Sequence, residues 1–328
     1  MLSKLLLAVW VCLVVGAGNV LAQSHEPAPQ APAAAGAHDA HDGPAGHGAK
    51  RTLEMSASDF FKHQFEHSVP YVIFTPKISP DEHVNHLFAV YNVQPWQWVC
   101  LGLMFVVFLP VVGSFRRPSS GRFTRVMRGF CLWIRDEMVY SVMGREEGRA
   151  FVPLFLFTFF FITFQNVIGL VPSVGHHFPT AIYTATGTPY VTGALAAVTL
   201  VLMLGLGIKK NGLFGFFKGL VPHGLPLPLI PIMFLIEVIS LLVKPFALTI
   251  RLFANMLAGH LVIASAIALV FLFTKMQGGA ITSYLTALPC VGMAIFIYII
   301  EAFVTLLQAY IFTFLSINFV YQSIHQDH

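Results

Sequence analysis

"LLVKPFALTIRLFANMLAGH", Leu241 to His260, sets Lys244, Arg251, Asn255 and His260 inside a run that otherwise reads as membrane helix. The apolar pattern extends outward from it to Ile232 and Phe273, about 60 Å of helix at 1.5 Å per residue. The hydrocarbon core of a bilayer is only about 30 Å thick. The element must therefore tilt steeply, lie partly in the membrane plane, or break. Four prolines between Pro222 and Pro231 exclude a regular helix just before it. Beyond the linker "KMQGGAITSYLTALP" a second long apolar segment, Pro289 to Tyr321, makes the pair an antiparallel hairpin.

The rest of the chain has the same character. Of its 328 residues 56% are hydrophobic and 10% charged, with a mean hydropathy of +0.73, whereas soluble domains carry roughly 25% charged residues. Recurring apolar runs of about 20 residues make this an all-α polytopic membrane protein. Shorter spans fall at Trp96 to Gly113, Phe151 to Val171 and Tyr190 to Ile208, so the mature chain is expected to cross the bilayer five times. The net charge of +4 is small, and no basic and aromatic interleaving suggests nucleic-acid binding. Cys12, Cys100, Cys131 and Cys290 lack metal-ligand spacing and read as packing residues.

Residues 1–22 have one lysine, an apolar core and small residues before Ala22, the pattern of a secretory signal peptide. An uncleaved first span is the alternative. Residues 23–50, rich in Ala, Pro, Gly and His, have almost nothing to bury and read as a disordered tail. His38, His41 and His47 are read as part of that solvated tail rather than as a metal site. Residues 51–95 then precede the first mature span. Behind that span, residues 114–149 carry eight arginines against four acids, and short basic loops stay cytoplasmic. That places the 51–95 segment outside, as the signal peptide independently requires, and the tail 323–328 in the cytoplasm.

In an antiparallel hairpin, residues at equal depth have position numbers with a constant sum, because both helices rise equally per residue. A turn centred near Ala280 predicts a sum close to 560. Arg251 and Gln308 sum to 559, Asn255 and Thr305 to 560, His260 and Glu301 to 561. The polar residues of one helix thus match those of the other level by level. Arg251 and Asn255 share a face, as do Glu301 and Gln308, while His260 points about 180° away from Arg251. Arginine stays charged, and no acid of this chain is expected at its depth, so its counter-ion belongs to another polypeptide. His260 and Glu301 can both titrate and suit a proton relay. Glu237 and Lys244 are either interfacial charges or part of an aqueous path. Gln165 and Asn166 serve either such a path or plain helix–helix hydrogen bonding. His176, His177 and His223 read as solvated loop residues.

"EVISLLVKPFALTIRLFANMLAGH" (Glu237 to His260), "FQNVIGLVP" (Phe164 to Pro172), "EAFVTLLQAYIF" (Glu301 to Phe312) and "RDE" (Arg135 to Glu137) together resemble subunit a of F-type ATP synthases, over residues 96–322. The resemblance implies a stator subunit forming two proton half-channels against a rotating c-subunit ring. Arg251 would face each passing c-subunit carboxylate, with Asn255 and Gln308 flanking it. His260 and Glu301 match the mitochondrial-type arrangement of the outer pair, and Gly169 stands where some bacterial relatives carry an acid. Peripheral-stalk b subunits, the rest of the ATP synthase and the lipid bilayer are the implied partners, the bacterial inner membrane the implied location, and no cofactor is implied.

An ion-coupled secondary transporter would also place charges at midplane, but it predicts an internal repeat and helices broken in both halves. An intramembrane metalloenzyme needs converging ligands such as H-E-x-x-H, which the chain lacks. There is no G-x-x-x-x-G-K-[ST] phosphate loop either.

Overall fold

The computed structural model describes residues 72–74, 90–91, 93–114, 121–171, 185–220, 226–277 and 280–325. Of residues 72–74, 90–91, 227, 260, 264, 266–277 and 280–287 it describes the backbone alone. The expected signal peptide, the His-rich tail and most of the 51–95 segment lie outside the described residues.

The chain is a bundle of membrane-length helices. A small antiparallel ribbon, which the hydropathy pattern did not announce, pairs β1 (Val72–Phe74) with β2 (Val90–Tyr91). The first span, α1 (Gln94–Ser114), leads to the amphipathic α2 (Arg122–Trp133), which continues through a π-helical stretch at Ile134–Tyr140. Gly144, at φ +74°, then turns the chain into α3 (Arg145–Leu170); only glycine adopts that left-handed conformation without cost. Next come α4 (Pro189–Asn211), the short α5 (Leu213–Gly219) and two long helices, α6 (Ile230–Gln277) and α7 (Ala280–Ile324). Five helices among the described residues are long and apolar enough to cross a membrane.

Two details of the hairpin differ from expectation. Of the three fates open to the first long segment, breaking is removed, because α6 runs unbroken for 48 residues with Pro245 inside it. Most of the presumed linker is also helical, and only residues 278–279 separate the two helices. Apolar Thr-, Ala- and Leu-rich sequence continues the helical pattern into the turn, so hydropathy alone could not mark the ends.

The core is built on phenylalanine. Phe155, Phe159, Phe160 and Phe161 of α3 are buried against α1, α7 and the π-helical stretch, and Phe108 of α1 meets Phe160 edge-on at 4.5 Å. At one end of the bundle Glu147 of α3 pairs with Lys210 of α4 at 3.1 Å and with His325, just past α7, at 3.3 Å. The hairpin turns much of its surface outward: Leu242, Phe246 and Ile250 of α6, and Phe296, Ile299 and Phe303 of α7, are exposed.

Candidate functional site

The placement of Arg251 follows from the packing stripe of its helix. Leu241, Pro245, Leu248, Leu252 and Met256 are buried at three- and four-residue spacing, one face of an α-helix. At 3.6 residues per turn Arg251 stands about 100° round from the centre of that stripe. It is exposed, between exposed apolar neighbours such as Val243 and Ile250, and takes part in no salt bridge among the described residues. Asn255, one turn along, is half-buried.

Arg251 also lines a cavity of about 180 Å³ with Ser240, Lys244 and Leu248 of α6 and Leu315 and Phe319 of α7. Lys244 Nζ donates to Gln322 Oε1 at 3.4 Å and lies 5.6 Å from the Phe319 ring centroid. Glu237, two turns before Lys244, is half-buried. Among the described residues no acid lines this cavity.

A second polar region lies on the inward face of α7. Glu301, Thr305 and Gln308, spaced by four and three, are all buried there; Asn166 of α3 is buried against the same face, and Gln165 beside it is buried too. Asn166 Nδ2 donates to the Thr305 carbonyl at 3.2 Å, while its Oδ1 accepts from the Thr186 hydroxyl at 2.6 Å. The two bonds fix the orientation of the amide and tie Asn166 of α3 to α7 and to the short turn at Thr186. Gln165 behaves differently. Both its amide atoms, both Glu301 carboxylate oxygens, Thr305 Oγ1 and Gln308 Nε2 are buried without a hydrogen-bond partner among the described residues. Burying polar atoms unpaired costs free energy.

Glu301 reaches this position through Gly259. A Cβ added there would stand 2.0 Å from Glu301 Oε1 and 2.4 Å from its Cδ; the carboxylate lies directly on the backbone of α6. Gly259 and Glu301 sum to 560, in agreement with the depth rule, and His260 is the next residue, though its side chain lies outside the described residues. Nearer Arg251 equal depth does not by itself make a contact. The expected partner Gln308 is turned inward, and α7 faces Arg251's cavity with Leu315 and Phe319 instead. A constant sum gives the level of a side chain and not the direction in which it points.

Sequence reasoning missed Gly259, Thr186 and Gln322. A glycine in a helix interior costs about 1 kcal/mol against alanine, so its presence in α6 was a usable sign of close approach. Nothing in the pattern pointed to the other two. His176, His177 and His223 lie outside the described residues. Among the described residues no group of three or more His, Cys, Asp or Glu is placed to hold a metal.

Residues 95–321 match the model of a family described as ATP synthase A chain. The chain is 40% identical to an ATP synthase subunit a of Myxococcus xanthus, over 63% of this chain and 65% of that one. It is 36% identical to a protein of the same description from Chloroherpeton thalassium, over 70% and 66%, and 36% identical to one from Novosphingobium aromaticivorans, over 67% and 82%. The matches thus span about two thirds of the length of the first two relatives.

Proposed function

We propose a function from one premise: the chain belongs to the ATP synthase A chain family. On that premise it is the stationary subunit a of an F-type ATP synthase in a bacterial inner membrane, with its first mature span entered from outside and its carboxyl end in the cytoplasm. Its partners are the c-subunit ring, the peripheral-stalk b subunits and the rest of the synthase. It translocates protons and does no covalent chemistry itself.

One observation carries the reading: Arg251 is exposed on an apolar face of α6 and unpaired among the described residues. A guanidinium cannot shed its proton, and placing it in hydrocarbon costs at least about 3 kcal/mol. A carboxylate carried past on a neighbouring rotor offsets that cost, and no acid of the described residues does.

The chemistry then follows from charge. A proton enters from outside along the buried polar atoms of Gln165, Glu301 and Thr305, with His260 as the second titrating group, and neutralises a c-subunit carboxylate. The neutral acid can face lipid, where its ionised form is strongly disfavoured. On meeting Arg251, with Asn255 one turn along α6 and Gln308 turned inward on α7, the ionised form is favoured again. The proton leaves toward the cytoplasm past the cavity edged by Lys244 and Ser240, with Glu237 beyond it. Each charge moved across 100 mV yields about 2.3 kcal/mol, which rotation delivers to ATP synthesis elsewhere in the complex.

A secondary transporter is less well supported, since helices at its charge level are discontinuous, whereas α6 and α7 run unbroken through Arg251 and Gln308. The test is Arg251→Ala in the assembled complex. ATP-driven acidification of inverted vesicles is expected to vanish, and acidification at the normal rate would discard the proposal.

A further inference from the structure

Between the first two spans, α2 presents an outward face that the proton path does not use. Phe123, Val126, Phe130 and Trp133 recur at three- and four-residue spacing and are 59, 65, 36 and 42% exposed. They are held outward by packing from behind. Arg128 Nη1 donates to the Ser114 carbonyl at the end of α1 at 3.5 Å. Phe130 meets Phe159 and Phe160 of α3 edge-on at 5.6 and 5.8 Å, and Trp133 stacks on Phe130 and lies 6.1 Å from Tyr310 of α7.

Charge accompanies the apolar face. Arg122 and Arg125 are exposed on its margin, and α2 holds three arginines and no acid. Beyond the helix Asp136 is already bound to Arg135 at 2.8 Å, whose hydrogen bond holds that carboxyl below its ordinary value; Glu137 is the one acid nearby with no salt bridge among the described residues. Because α1 and α3 are both long enough to cross the membrane, the segment joining them stays at one membrane surface, level with the headgroups. A helix with Trp and Phe on one face and arginine beside it lies in that interface.

We propose that α2 is a binding site for anionic phospholipid, with Phe123, Val126, Phe130 and Trp133 seated at the acyl-chain boundary and Arg122 and Arg125 on the phosphate. A guanidinium pairs with phosphate through two parallel N–H···O bonds. Zwitterionic lipids offer the same phosphate but cancel its charge within the headgroup, so the site prefers lipids such as phosphatidylglycerol. A protein partner is the competing occupant. Lipid fits better because α2 stays at one membrane surface between two helices long enough to cross, carries three arginines and no acid, and follows an α1 that itself exposes Phe105, Val106, Leu109 and Val112.

The experiment places a diazirine-bearing residue at Val126 in the assembled complex, irradiates native membranes and identifies the adduct by mass spectrometry. Phosphatidylglycerol adducts are expected well above that lipid's share of the membrane. Arg122→Gln with Arg125→Gln should reduce the enrichment by up to about thirtyfold, and the corresponding lysine pair should largely keep it. If the glutamine pair does not assemble, the unaltered complex is compared in phosphatidylcholine vesicles with and without phosphatidylglycerol, where the adduct must follow the anionic lipid. Adducts to a polypeptide, lipid adducts in simple membrane proportion, no adduct, or enrichment indifferent to the arginines would each overturn the proposal.

Discussion

Gly259→Ala is the substitution whose effect the structure sets most directly. The new methyl carbon would stand 2.0 Å from Glu301 Oε1, 2.4 Å from Cδ and 2.9 Å from Cγ, where ordinary contact begins at 3.4 Å. The backbone of a continuous helix cannot yield that much, so the carboxylate must retreat by about 1.4 Å. Helix formation itself does not suffer, since alanine is favoured over glycine by about 1 kcal/mol, and the complex is expected to assemble normally. If Glu301 hands on protons, a displacement of this size at a reacting group costs roughly a hundredfold in rate. The assay is ATP-driven acidification of inverted vesicles, normalised to assembled complex. Adding Glu301→Asp withdraws the carboxylate by one methylene and is expected to recover part of the loss. Full transport by Gly259→Ala alone would show that the position of this carboxylate does not matter to the path.

Four further outcomes are expected. Exchanging His260→Glu with Glu301→His should retain more transport than either single change, read in the same vesicles; equal or greater loss would mean the positions do not act as a pair. Asn166→Ala removes the acceptor of the buried Thr186 hydroxyl and should destabilise the protein by about 1–3 kcal/mol, seen as a lower Tm in detergent. Gly207→Ala, whose Cβ would meet Ser323 Oγ at 2.3 Å and Phe216 at 2.5 Å, should cost a similar 1–3 kcal/mol by overpacking, in the same melt. Lys210→Gln breaks a pair with Glu147 in which both side chains are 43% exposed, so a Tm change equivalent to no more than about 1 kcal/mol is expected.

Hydropathy located the three shorter spans to within a few residues because polar loops border them: α1, α3 and α4 lie close to the expected Trp96 to Gly113, Phe151 to Val171 and Tyr190 to Ile208. It could not locate the hairpin turn, where the sequence stays apolar on both sides of residues 278–279. The depth of Glu301 was legible from numbering alone, since Gly259 meets it at the predicted sum. The neighbours of Arg251 were not, because a constant sum gives depth and carries no information about which way each side chain points. Nor could numbering say which polar residues would bond each other. Gln165 and Asn166 are adjacent in sequence and equally buried, yet one finds Thr186 and Thr305 while the other finds no partner among the described residues. Adjacent side chains on a helix diverge by 100°, and tertiary packing decides what each one meets.

The geometry also bears on why the proposed path needs a rotor. Glu301 touches α6 at Gly259, eight residues beyond Arg251 and so about 12 Å along the helix. Between those levels the inner stripe of α6 is filled by the buried Leu252 and Met256, while Arg251 itself is exposed. A proton that reached Glu301 from outside finds Thr305 and Gln308 on α7, but along α6 it would have to pass apolar side chains, and then a fixed positive charge, to reach the cavity beside Lys244 within this chain. Both obstacles oppose a hydrated cation: the first by desolvation, the second by repulsion that grows as the local dielectric falls. A carboxylic acid on a moving neighbour avoids both, because it carries the proton as a neutral group around the outside and loses it only where Arg251 stabilises the anion. A direct leak in the Arg251→Ala variant, measured as passive proton flux with rotation blocked, would show the repulsive term at work. If the variant stayed tight, the apolar side chains of α6 alone would be the barrier.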